Sequence, residues 1–479
     1  MNRISAVFSI ILTVGIFWGV SVAQARPAPE SFADLAESLL PVVVNISTTQ
    51  KVQNADATDQ LEDLFRDFLD RQDGDKDGDI PKARKATSLG SGVIIDPEGY
   101  IVTNNHVIEN AEEITVTTHD NKELKAKLVG IDDKTDLALL KVESKEKLPA
   151  AKWGDADKLR VGDWVMAIGN PFGLGGTVTV GIVSARQRDI QIGQYDDFIQ
   201  TDASINRGNS GGPMFDMDGE VVGINTIIFS PSGGSIGIGF AISSTLVKPV
   251  IEQLKNGGKV RRALLGVSLQ AVTGELAEGM HLPRAEGALI ANVTEGGPAD
   301  KAGIKQGDVI LEFDNKPIKE MRTLPRLVAD APIGEKVPVV VYRKGERMTI
   351  NVVLGELTEA AQRPQQKNQP QPSEQSEEGY HLASLGLSMS RLDDKTRKIL
   401  KLPSEVEGVL ITGIDENGSA AAKGLTKGDV IVEVDQKTVL TPKDVEARVK
   451  DAQDNGYRVV TLLINREGSF NWVALKLNK

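Results

Sequence analysis

From Leu40 onwards the chain is built of short β-branched and aliphatic runs punctuated by Gly, Pro and Asn, a pattern that predicts strands and tight turns. Ser91 to Ile95, the turn Asp96-Pro97-Glu98-Gly99 and Tyr100 to Thr103 read as one hairpin. Thr115 to Thr118, Leu137 to Val142, Trp164 to Gly169, Thr177 to Ala185, Val221 to Ile228 and Gly237 to Ile242 are further strand candidates. So many short strands with so few helices indicate a sandwich or a barrel. Leu246 to Leu254 is apolar at helical spacing and closes this region.

A polar stretch between Lys51 and Thr87 interrupts the pattern, and a loop this long inside a compact domain is usually functional or disordered. Within it Leu61, Leu64, Phe65, Phe68 and Leu69 recur at helical spacing and predict a short amphipathic helix. Its apolar face is free to bury against this domain or against another copy. Asp73-Gly74-Asp75-Lys76-Asp77-Gly78-Asp79-Ile80 begins like a calcium loop, but Arg84 stands where a bidentate Glu is required and Pro81 intervenes. A solvated acidic loop is the better reading.

Beyond the closing helix the chain repeats itself. Glu286 to Ile318 aligns without a gap on Glu407 to Val439, at an offset of 121 residues. Gly287/Gly408, Gly307/Gly428, Asp308/Asp429 and Asp314/Asp435 are among the matched pairs. Arg363 to Gly379, crowded with Gln, Pro, Ser and Glu, cannot bury a core and reads as the linker between two copies of one module.

Composition narrows the function. The 479 residues correspond to roughly three domains. A formal net charge of −12 argues against binding nucleic acid, whose phosphates demand a basic surface, and equally against adhesion to an anionic membrane. Arg3, the apolar run Ile4 to Val22 and the small-residue pattern Ala23-Gln24-Ala25 read as a secretory signal. A retained anchor is the alternative; the A-x-A ending favours cleavage, with the mature chain starting at Arg26. There is no cysteine, which excludes disulfides, a thiol nucleophile, a lipidated Cys anchor and thiolate metal sites.

Gly208-Asn209-Ser210-Gly211-Gly212-Pro213 carries the sharpest chemical signal. A nucleophilic serine needs a tight turn that exposes Oγ and aims backbone N–H groups at a developing oxyanion, and flanking glycines permit that close approach. The N–H groups of Gly208 and Ser210 are the expected donors, with Asn209 between them. Alone, such a stretch is also compatible with an ordinary turn. A serine hydroxyl further needs a base near neutral pH, and the base needs a carboxylate to fix its tautomer. Of four histidines, His119 lies in a polar turn, while His281 and His381 fall in or beside the repeated modules. His106, at the end of a hairpin strand in Thr103-Asn104-Asn105-His106-Val107-Ile108, is the remaining candidate. Asp136, in Thr135-Asp136-Leu137-Ala138-Leu139-Leu140, opens an apolar strand.

The order His106, Asp136, Ser210 and these local motifs resemble the Do/HtrA (DegP-like) serine proteases, and the resemblance covers nearly the whole chain. It implies a mainly β protein: a trypsin-like double β-barrel protease domain followed by two PDZ domains. The implied layout is a signal peptide at 1–25, a protease domain at 26–258 with a long loop at 51–87, PDZ domains at 259–356 and 381–479, and a linker at 357–380. It implies His106 as base, Asp136 as orienting carboxylate and Ser210 as nucleophile. Ala185 to Phe198 resembles a regulatory loop that senses the PDZ domains. Asn225 to Ile238 resembles loops bordering the specificity pocket, with Ser204, six residues before the nucleophile, as its uncharged floor and Ile227, Ile228 and Ile238 as its walls. Leu264-Leu265-Gly266-Val267 and Leu385-Gly386-Leu387 resemble the turns with which PDZ domains receive a peptide carboxylate while the peptide adds a strand. Arg261 or Arg262 is placed to help hold that carboxylate.

The expected partners are unfolded polypeptides and apolar C-terminal peptides, and the expected assembly is a homo-trimer or a larger oligomer in the periplasm. Nothing resembles a nucleotide-binding loop and no metal ligands cluster, so neither a cofactor nor ATP is expected. Two other readings stand beside the protease: a chaperone that uses the same modules without relying on cleavage, and a PDZ scaffold with an inert protease fold. A complete triad counts against the second, whereas chaperoning is compatible with proteolysis.

Overall fold

The computed structural model describes residues 29–51, 85–170, 176–206, 208–230, 235–358, 380–400, 402, 406–416 and 418–477. The signal segment, the helix expected over Leu61 to Leu69, the acidic loop at Asp73 to Ile80 and the linker Arg363 to Gly379 lie outside the described residues. Among the described residues no helix is long and apolar enough to cross a membrane.

Strands β1 (Val43–Lys51), β2 (Lys85–Asp96), β3 (Tyr100–Asn104), β4 (Glu113–Thr117), β5 (Glu123–Asp132) and β6 (Leu137–Val142) close into a barrel in the order β1-β2-β3-β6-β5-β4. The expected 96–99 turn joins β2 to β3: Gly99 donates its N–H to the Asp96 carbonyl at 2.9 Å and takes a φ of 96°. A second group comprises β7 (Lys152–Trp153), β8 (Trp164–Gly169), β9 (Thr177–Arg188), β10 (Phe198–Thr201), β11 (Pro213–Phe215), β12 (Glu220–Ile228) and β13 (Gly239–Ser243). It also closes, because β11 pairs with both β8 and β12. Two barrels side by side are the predicted double-barrel architecture. Strand β9 runs three residues past the expected Ala185, so the loop expected over Ala185 to Phe198 is confined to 189–197.

The helix Ser244–Gly257 fastens the barrels together. The Ser243 hydroxyl caps it by accepting the Leu246 N–H at 3.3 Å, and Gly258 ends it with a φ of 68°. Its buried Val247, Val250, Ile251 and Leu254 share one apolar cluster with Val93, Val102, Leu137 and Leu139 of the first barrel and Ile168, Phe215, Ile224 and Ile242 of the second. Burial on this scale stabilises the seam between the barrels by about 25 cal/mol for each Å² of apolar surface removed from water.

The repeated modules follow. The first holds a sheet of β15 (Val267–Ala271), β16 (Ala288–Val293), β17 (Val309–Phe313), β18 (Lys316–Pro317), β19 (Lys336–Arg343) and β20 (Glu346–Val353), a separate pair of β14 (Ala263–Leu264) with β21 (Gly355–Glu356), and the helix Thr323–Ala329. The second holds β22 (Tyr380–Leu382), β23 (Leu387–Arg391), β24 (Val409–Ile414), β25 (Val430–Val434), β26 (Lys437–Thr438), β27 (Val459–Arg466) and β28 (Ser469–Lys476), with the helix Pro442–Asp454. The matched pair Asp308/Asp429 has a shared cause. Each is buried and holds an arginine through two bonds, Arg343 at 2.6 and 2.7 Å and Arg466 at 2.6 Å twice. Each also accepts a turn N–H at 2.8 Å, from Lys305 and Thr426 respectively. A buried carboxylate is tolerated only with such partners.

The two modules share a core. Trp472 of β28 is buried against Leu276, Met280, Leu289 and Tyr342 of the first module. Its backbone exchanges two hydrogen bonds with the Gln270 amide, at 2.7 and 2.8 Å. A Cβ on Gly307 would stand 3.1 Å from the indole, so glycine leaves the room this approach uses.

Candidate active site

His106 and Asp136 come from the first barrel and Ser210 from the second. His106 lies in the one-turn helix Asn105–Ile108 that follows β3, and Asp136 sits just before β6, the strand paired with β3. Asp136 adopts a left-handed φ of 54°, uncommon for a residue with a Cβ. That backbone turns its carboxylate onto His106: Oδ2 lies 2.6 Å from ring Nδ1, and Oδ1 accepts the His106 backbone N–H at 2.9 Å. The Asp136 carbonyl is held by the Asn105 N–H at 3.1 Å and the Asn104 amide at 2.9 Å. Asn104 also donates to Thr226 Oγ1 at 3.2 Å, which ties the histidine side of the seam to the serine side.

On the serine side, the Ser210 hydroxyl donates to the Thr226 carbonyl at 3.3 Å, and among the described residues no hydrogen bond joins it to His106. Three successive peptide units around Ser210 can be accounted for group by group. In the unit joining Gly208 to Asn209, the carbonyl accepts the Ser91 hydroxyl and the N–H donates to Asn206. In the unit joining Ser210 to Gly211, the carbonyl accepts the Ser91 N–H and the N–H donates to Asn225. In the unit between them, the Asn209 carbonyl accepts the Gly212 N–H, and only the Ser210 N–H has no described partner. The Gly208 N–H has none either. A pair of half-buried donors with no described partner is what a developing oxyanion needs. Asn209 is a spacer, since its own N–H is committed.

The expected pocket residues separate. Ile227 and Ile228 are neighbours on β12, so their side chains point to opposite faces and cannot both line one pocket. Ile228 packs against Ala167, Ala203 and Ile205, whereas Ile238 packs against the main core. Ser204 is exposed, and its carbonyl accepts the Thr179 hydroxyl at 2.8 Å. Ile205 was not among the expected residues, although alternation from Ala203 could have found it. It is buried beside Gly239, where a Cβ would stand 2.9 Å from its Cδ1.

At the first module a cavity of about 760 Å³ opens between β15 and the helix Thr323–Ala329. Leu264, Leu265, Gly266 and Val267 all line it, together with Leu324 and Val328. Among the described residues, the N–H groups of Leu265 and Gly266 have no partner, and no strand pairs with the outer edge of β15. Asp189, Gln191 and Tyr195 of the loop 189–197 line the same cavity. Arg322 pairs with Asp189 at 3.0 Å and Arg326 with Asp197 at 2.7 Å. Arg261 and Arg262 correct the expectation placed on them. Arg261 is engaged with Glu356 through two bonds of 2.7 Å. Arg262 is buried, paired with Asp132 and stacked 4.6 Å from the Tyr195 ring. Neither charge is free for a peptide.

The second module differs. Its β22 folds back on the outer edge of β23, pairing Tyr380 with Met389 and Leu382 with Leu387. The Tyr380 hydroxyl reaches Glu446 on the helix Pro442–Asp454, so the segment lies in the groove between strand and helix. The N–H groups of Leu385 and Gly386 both donate to the Leu382 carbonyl, at 3.2 and 3.0 Å.

Comparison with known proteins agrees with this arrangement. The trypsin-like peptidase domain pattern matches residues 90–224, and the PDZ domain pattern matches 263–354 and 383–477. A probable periplasmic serine endoprotease DegP-like of Rickettsia conorii is 43% identical over 95% of this chain and 90% of its own. Its counterpart in Rhizobium meliloti is 38% identical over 100% of this chain and 99% of its own. Among solved structures, the HtrA-type protease AlgW with decapeptide is 40% identical, with a TM-score of 0.57 over 68% of this chain and 99% of its own. Fold and site thus define a serine endopeptidase of trypsin-like architecture carrying two PDZ domains. The chain belongs to the DegP-like family of periplasmic serine endoproteases.

Proposed function

We propose that the chain cleaves polypeptides by acyl transfer, with Ser210 as nucleophile, His106 as base and Asp136 holding the imidazole. The observation that carries this reading is the 2.6 Å contact of Asp136 with His106 Nδ1, together with a Ser210 N–H that has no described partner. Ser210 Oγ attacks the scissile carbonyl carbon, and its proton passes to His106 Nε2. The resulting oxyanion is taken by the N–H groups of Ser210 and Gly208. The C–N bond breaks as His106 returns the proton to the amine. Water then repeats the sequence on the acyl-enzyme and releases the acid. Each step is closed by these groups without ATP.

The apolar surroundings of Ile205 and Ile228 favour an aliphatic side chain before the scissile bond. The first PDZ groove, with its open strand edge and unfilled N–H groups, fits a free, apolar C-terminus. Such a peptide would lie against the regulatory loop, and its binding regulates cleavage to the extent that it favours one loop arrangement over another. Misfolded envelope proteins, which expose apolar ends, are the proposed substrates, handled by a homo-trimer or larger assembly after removal of residues 1–25. A chaperone activity through the same grooves accompanies proteolysis. A fluorophosphonate probe tests the chemistry: mass spectrometry should find the label on Ser210, and a label elsewhere or none at all would reject this assignment.

A further inference from the structure

We propose that Ser91 is a positioning residue for the oxyanion donors, fixing the peptide units on both sides of the Ser210 amide. The inference rests on the reading of Ser210 as nucleophile and adds a residue from the opposite barrel to it.

Ser91 is fully buried in β2, and each of its polar groups is hydrogen-bonded. Its carbonyl accepts the Thr103 hydroxyl at 2.7 Å, and its N–H donates to the Ser210 carbonyl at 2.9 Å. Its Oγ accepts the Asn170 N–H at 2.7 Å and donates to the Gly208 carbonyl at 2.5 Å. Because the Asn170 N–H approaches the oxygen, the Ser91 proton has a single destination.

That destination matters because of what Gly208 is. Its φ of 97° is readily supplied by glycine, but the same freedom lets the following peptide unit rotate. The Ser91 hydroxyl holds that unit by its carbonyl, while the Ser91 N–H holds the unit after Ser210. The Ser210 N–H is therefore suspended between two fixed planes and keeps one direction. Direction is what gives such a donor its effect, since a group that must reorient during reaction loses much of its stabilisation.

Close packing makes the grip rigid. A Cβ on Gly211 would lie 2.2 Å from Thr103 Oγ1 and 2.3 Å from the Ser91 carbonyl oxygen. A Cβ on Gly90 would meet Val107 Cγ1 at 2.6 Å and the Ser210 carbonyl oxygen at 3.3 Å. Two glycine-flanked segments thus meet backbone to backbone, with Ser91 as the hydrogen-bonding side chain between them.

The test uses the full chain, a fluorogenic peptide with an aliphatic residue before the cleaved bond, and a peptide boronic acid of the same sequence. Ser91→Ala should lower kcat roughly 10- to 100-fold while KM stays within about twofold, since the lost interaction acts in the transition state. Boronate affinity should fall by the same factor as kcat/KM, because its tetrahedral adduct occupies the same donors. Ser91→Cys, which keeps a weak donor, should fall between wild type and Ser91→Ala, and it carries the test if Ser91→Ala fails to fold. A kcat within about threefold of wild type, or a reduced kcat with unchanged boronate affinity, overturns the assignment. Ser210→Ala is assayed beside them. If it cleaves, the nucleophile reading fails; if it is inert while Ser91→Ala is fully active, only the role of Ser91 fails.

Discussion

Arg326 on the helix of the first PDZ module and Asp197 at the end of the loop 189–197 form an ion pair of 2.7 Å. Asp197 is buried, also accepts the Ser243 hydroxyl at 2.7 Å, and immediately precedes β10, which leads into the loop carrying Ser210. One charge pair therefore connects the helix beside the first-module cavity to the segment that leads to Ser210.

Breaking that connection should separate regulation from chemistry. Arg326→Ala leaves the Asp197 carboxylate without its cation, at a cost on the order of 1–3 kcal/mol. The more exposed pair of Arg322 with Asp189 is worth at most about 1 kcal/mol, so Arg322→Ala should leave the melting temperature nearly unchanged. In both variants, apolar C-terminal peptides should raise the cleavage rate less than about twofold, a shift that needs only about 0.4 kcal/mol of differential binding. Stimulation equal to that of the wild type, measured on a fluorogenic peptide, would show that coupling takes another route.

The two grooves predict different occupancy. With Tyr380 to Leu382 paired on β23 and the Leu385 and Gly386 N–H groups spent internally, the second module offers no open edge on β23. Calorimetric titration of Ser210→Ala protein with a peptide ending in a free valine should give one site per chain. Two sites of similar affinity would mean that the segment yields to the ligand.

The proposed catalytic residues stood out in the chain because their signals are local: a glycine-framed serine, a histidine ending a strand and an aspartate opening one. The repeat was readable because Gly307, Asp308, Gly428 and Asp429 each meet a local demand, a turn conformation or a buried arginine partner. Partners distant in sequence were not. Asn104, Thr226 and Ser91 are ordinary residue types whose roles arise only when the barrels meet. Arg261 and Arg262 looked free, but Glu356 and Asp132 claim them from far along the chain. The opposition of Ile227 to Ile228, by contrast, follows from strand alternation alone.

Specificity should follow the Ile205 and Ile228 cluster. Product sequencing of digested casein should show cleavage mainly after Val, Ala or Ile. Ile228→Ala, which enlarges the space beside Ile205, should shift preference toward Leu, Met or Phe. One or two methylenes change discrimination roughly 10- to 100-fold in such pockets. Cleavage mainly after Lys or Arg would contradict this account.

Turnover of an unfolded substrate by the intact chain tests the central claim most directly. Casein hydrolysis should fall by roughly three to six orders of magnitude in Ser210→Ala, His106→Ala and Asp136→Asn alike, because the three act as one unit. Circular dichroism and melting temperature should stay close to wild type, since none of the three anchors the buried core. Ser210→Ala protein that still degraded casein near the wild-type rate would contradict the mechanism.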